Sequence, residues 1–119
     1  MTKATTKDIL AYIERNNKHN LLGNNSGVLA IALHREFNID KFVFVQDPKD
    51  NIIYHIAVEL NNVMYDVTGI TDANKLRWIV KQDFASQVEI EVTAIAASYG
   101  MYSYILKNTF PTIDFNDLD

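Results

Sequence analysis

Apolar and polar positions follow two rhythms along this chain. Near the N-terminus the spacing is helical. Ile9, Leu10, Tyr12 and Ile13 mark one apolar side. Thr5, with Asp8 three residues on, predicts a capped helix start. That helix is expected to end near "RNNKHN", because asparagines favour turns. A second helix is predicted over 26–37, "SGVLAIALHREF". Its positions 28–33 are apolar all round, so it should be buried on most sides, with His34, Arg35 and Glu36 as its wet end. From residue 41 the period shortens. "KFVFVQD" reads as a strand and "PKDN" as a turn. "IIYHIAVEL" and "VMYDVTG" read as two strands joined by Asn61-Asn62, since Asn tolerates the left-handed backbone that two-residue hairpins need. A helix is predicted over 72–84, capped by Thr71 or Asp72, with Trp78 as a core or satellite anchor. A strand follows over 87–92 and a helix over 94–107. The acidic tail 111–119 is expected to be loosely held.

These elements predict one α+β domain spanning 1–119, with helices in front of a mainly antiparallel sheet. With 48% hydrophobic and 22% charged residues among 119, the chain can build a core. The formal charge of −4 argues against a nucleic-acid partner. Its longest apolar run falls far short of the ~20 residues of a membrane span, and the N-terminus does not read as a signal peptide. A cytoplasmic protein is therefore expected. Zero cysteines exclude disulfides and thiolate-bound metals. No pair among His19, His34 and His55 has metal-binding spacing, so no metal or other cofactor is expected.

The hairpin register concentrates the chemistry. With Asn61-Asn62 as the loop, Leu60 faces Val63, Ala57 faces Asp66 and His55 faces Thr68. His55 and Asp66 then share a face as diagonal neighbours, roughly 7–8 Å apart at the backbone. A carboxylate in reach of an imidazole fixes its orientation and favours its charged form. The same residues also fit a half-exposed strand whose solvent face carries a His and an Asp. Ser26, followed by Gly27, opens the apolar helix. A helix N-terminus favours negative charge and offers free N–H groups to an oxyanion. Ser there also fits a plain helix cap.

Taken together, "NSGVLAIAL" and the pattern H-x-x-V-x-L-x-x-x-x-Y-D-x-T-G, over about residues 20–70, resemble the papain-like cysteine peptidase superfamily in its compact bacterial and phage forms. They also resemble the related transglutaminase-like core. The resemblance implies a papain-like core with Ser26 at the nucleophile position, His55 as base and Asp66 as orienting acid. The backbone N–H of residue 26 would be one oxyanion donor; the family's upstream Gln is absent here, and Asn20, Asn24 and Asn25 are available in its place, Asn20 at a similar spacing. It implies a thiol-type hydrolase or acyl transferase acting on an amide, isopeptide or thioester of a protein or peptide. The family has Cys where this chain has Ser26. A hydroxyl beside an imidazole ionises far less readily than a thiol. Three origins fit: an inactivated Cys-to-Ser variant, a natural pseudoenzyme, or a serine enzyme. The intact surroundings of Ser26 favour the first. A catalytically dead fold that binds a partner protein, through its cleft or the tyrosine-rich "SYGMYSYIL", is the alternative. The Asn-, Ile- and Tyr-rich composition is similar to that of phage-encoded proteins.

Overall fold

The computed structural model describes residues 5–50, 52–83 and 89–118. Helix α1 (Thr6–Asn16) starts as the sequence predicts. The Thr5 hydroxyl accepts the Asp8 N–H, and the Asp8 carboxylate accepts the Thr5 N–H in return. A short 3-10 turn (Gly23–Asn25) leads into α2 (Ser26–Phe37), and Asn38 closes that helix at φ 55°. Strands β1 (Lys41–Gln46), β2 (Ile53–Leu60), β3 (Val63–Asp66) and β4 (Gly69–Thr71) follow. Then come α3 (Ala73–Asp83), β5 (Glu91–Ala96) and α4 (Tyr102–Thr109). The strands form one antiparallel sheet in the order β4-β3-β2-β1-β5. The β2–β3 hairpin has the predicted register from Leu60–Val63 to Val58–Tyr65, but the predicted pairs Ala57–Asp66 and His55–Thr68 do not form, because β3 pairs Asp66 with Gly69 instead. Its loop residues Asn61 and Asn62 are both left-handed, at φ 53° and 66°.

The sheet is covered on both faces, which builds two cores. In one, Ile9, Ile13, Leu29, Leu33 and Ile105 from the helices meet Phe42, Phe44, Ile56 and Val58. In the other, Leu76 and Val80 of α3 meet Val43, Val45, Tyr54 and Ala57. β2 carries a bulge. Val45 pairs with His55 and Gln46 with Ile53, so Tyr54 is an extra residue and alternation slips there.

Several expectations are corrected. The predicted strand 63–69 is two strands. The Asp66 side chain accepts both the N–H and the hydroxyl of Thr68, a local turn that competes with the ladder. Gly69 completes the reversal at φ 102°. Residues 94–96 are strand, not helix. Val92, Thr93 and Ile95 prefer the pleated edge of β1, and pairing overrides the helix propensity of the alanines. The predicted strand's positions 87 and 88, and Phe84 at the end of the predicted α3, lie outside the described residues. Trp78 is exposed rather than a core anchor, because Leu76 and Val80 turn the other side of α3 to the sheet. His34 is buried, not wet: the rings of Phe42, Tyr99 and Tyr102 surround it, and its Nδ1 bonds the Tyr102 hydroxyl. The tail is attached. Thr112 bonds Asn25, and Ile113, Phe115 and Leu118 pack on the first core.

Candidate functional site

β2–β3 pairing runs only as far as Val58–Tyr65, and β3 then turns away at Asp66. The N-terminal end of α2 meets the sheet beside this opening. The Ser26 hydroxyl accepts the N–H of Ile56 at 2.9 Å and donates to the Gly23 carbonyl at 2.6 Å. Ser26 is therefore not a helix cap in the ordinary sense. Asn25 occupies the cap position, and the serine bridges two backbone segments instead. Gly27, next in line, allows α4 to approach. A Cβ there would lie 2.7 Å from Ile105 Cγ2 and 3.2 Å from Thr109 Oγ1.

The predicted imidazole–carboxylate pair forms. His55 Nε2 donates to Asp66 Oδ2 at 3.0 Å. The other carboxylate oxygen holds the Thr68 turn, so one side chain both shapes the β3–β4 corner and orients the ring. Burial pushes the Asp66 carboxyl up. The hydrogen bonds from His55 and Thr68, with the charge His55 can carry, outweigh it and hold the group below its ordinary value. His55 Nδ1 accepts the Gly23 N–H at 3.2 Å, so the bonding pattern assigns the proton to Nε2. The half-exposed reading of this face fails: His55 is 1% exposed, and Asp66 and Ser26 are each 2% exposed. Both ring nitrogens of His55 are bonded inside the fold, to Gly23 and to Asp66.

The three predicted residues thus gather around one opening, but Ser26 and His55 are not hydrogen-bonded to each other. Gly23 stands between them. Its N–H takes the lone pair of His55 Nδ1, and its carbonyl takes both the hydroxyl and the backbone N–H of Ser26. The expected oxyanion donor at the residue 26 amide is therefore already engaged. Asn20, the other expected donor, has an exposed side chain, while its carbonyl accepts from Asn25 Nδ2 at 2.7 Å. Asn25 is the residue that sequence reasoning underrated. It is buried, and its amide also accepts the Thr112 N–H at 2.7 Å and donates to the Thr112 hydroxyl at 3.0 Å. No local pattern signals a partner that far along the chain.

His19 is half-buried, and its Nε2 has no partner. Among the described residues, two of the surface cavities lie away from Ser26, His55 and Asp66. One of about 320 Å3 is lined by Tyr12, Ala32, Arg35, Glu36, Phe115 and Asn116. Another of about 530 Å3 lies between α3 and β5, beside Arg77, Lys81 and Glu91. Among the described residues no His, Asp and Glu cluster could hold a metal ion, and no helix is long and apolar enough to cross a membrane. Comparison of the chain with family models, curated proteins and solved structures finds no match.

Proposed function

We propose that this chain carries the plan of a papain-like thiol hydrolase or acyl transferase and that Ser26 leaves the present form catalytically silent. The supporting observation is the buried His55–Asp66 pair beside the N-terminal end of α2. The ring's remaining nitrogen faces the loop that leads into residue 26. With a thiol at position 26, its proton would pass to His55 Nδ1 and the thiolate would add to a carbonyl carbon. The tetrahedral oxyanion would collapse as His55 returned the proton to the leaving nitrogen, oxygen or sulfur. Water or an acceptor amine would then release the acyl group. Peptidase, deamidase and transglutaminase chemistries share these steps, and nothing in the triad separates them.

A second reading has its own observations. The three side chains are closed off from solvent, while Tyr99 and Phe110 are largely exposed. A fold that has lost its chemistry and binds a partner protein accounts for both.

One substitution separates the readings. In Ser26→Cys, the ultraviolet absorbance of the thiolate is followed against pH, with and without His55→Ala. It needs no reagent to enter the closed site. A thiolate formed well below the ordinary thiol value of about 8.5, and lost when His55 is removed, supports the hydrolase plan. A thiol that titrates at or above that value in both variants, and still does so when Asn25→Ala is added to loosen the loop that holds Gly23, sinks it and leaves the binding fold.

A further inference from the structure

Gly23 engages the three groups that acyl transfer would need: the base's lone pair, the nucleophile's hydroxyl and the residue 26 amide. A peptide substrate would offer the same groups, a carbonyl and an N–H. The conformation is specific. Gly23 sits at φ 60°, where a side chain would be strained. The loop is held from outside by one buried amide. Asn25 bonds the Asn20 carbonyl on one side and both the N–H and hydroxyl of Thr112 on the other. Beyond Thr112, Ile113, Phe115 and Leu118 lie on the first core without being fully buried, and Phe115 stacks under the Arg35 guanidinium. That anchorage is weaker than that of the sheet or α2, and segments of this kind open first.

We infer that Gly23 is a built-in plug of the Ser26–His55–Asp66 site and that the C-terminal segment 110–118, acting through Thr112 and the positioning residue Asn25, is the latch that keeps it closed. As regulation of a catalytic plan this rests on the function proposed above. As a closed and openable geometry it stands without it. Release of the segment frees Asn25, the loop withdraws Gly23, and His55 Nδ1 and residue 26 face solvent together. The energy that shifts this balance is the difference between bonds made in the closed and open states.

The test uses the full chain and diethylpyrocarbonate, which acylates an unprotonated imidazole nitrogen that solvent can reach. Modification of His55 and His34 is mapped by mass spectrometry in the wild type, Asn25→Ala, Asn25→Asp and Phe115→Ala. His34 is the internal standard for general loosening, because it is buried by aromatic rings on a different part of α2. The expected result is slow modification of His55 in the wild type. Its rate should rise roughly tenfold in Asn25→Ala, on the scale of one lost buried hydrogen-bonding group. Phe115→Ala, which leaves every site residue in place, should raise it severalfold. Asn25→Asp keeps the acceptor for the Thr112 N–H and should recover part of the protection. His34 should not change. Equal acceleration of both histidines, or none at His55, overturns the latch. The thiolate titration of Ser26→Cys can fail while this selective opening remains, so the two ideas fall separately.

Discussion

Ser26 shows how one side chain can satisfy two opposed readings. A hydroxyl at a helix start reads as a cap or as a nucleophile, and its bonds make it neither in the present state. It satisfies the buried Ile56 N–H where β3 has turned away, and it returns its proton to Gly23. A backbone N–H buried without a partner costs about 1–3 kcal/mol. Ser26→Ala should therefore destabilise the fold by about that amount in urea unfolding, and the Ile56 amide should exchange with deuterium disproportionately fast. An ordinary cap would instead lose protection along the first turn of α2. His55 and Asp66 were legible because a two-residue Asn-Asn loop fixes the register, and register fixes which residues share a face. Their burial was not legible, since it depends on tertiary packing over a face that the sequence marks as polar.

At the scale of elements, the legible parts are those governed by local rules. The Thr5–Asp8 box, the apolar α2 and the β2–β3 hairpin follow from capping, periodicity and turn chemistry. Errors fall where distant contacts decide. The alanines of 94–96 join β1 because an edge was open to them, and the helix predicted over that region starts only at Tyr102. Placement of α4 then decides what Gly27 is for. It admits α4 at a distance that forbids a Cβ, so the residue serves packing between helices. Gly27→Ala must displace the fully buried Ile105, a β-branched side chain with little freedom to turn. Overpacking of that kind costs about 1–3 kcal/mol. A lowered melting temperature is expected, with the loss relieved by Ile105→Val or Ile105→Ala in the same chain. Additive losses in the double variants would show that Gly27 and Ile105 do not compete for space.

For the whole molecule, the two-core plan places titratable groups in the interior, and acid should expose that in two windows. His34 lies among Phe42, Tyr99 and Tyr102, and burial holds its imidazole below the ordinary value of 6.5. The unfolded chain then takes up a proton that the folded chain resists. The stability tied to His34 is complete above that value and drains away as pH falls below it. Asp66 acts later. Its carboxyl titrates below the ordinary 3.8, so its contribution is complete above that value and is lost as pH falls towards the depressed one. Asp8 and Asp47 are also depressed, by local hydrogen bonds at the surface, and add to the second window. Melting temperature measured from pH 8 to 3 should thus decline gently below about 6.5 and more steeply near the carboxylate range. His34→Gln should flatten only the upper part, and Asp66→Asn only the lower. An upper limb that survives His34→Gln would mean that another group titrates with folding. It would also mean that the aromatic enclosure joining α2 to α4 does not hold a neutral imidazole.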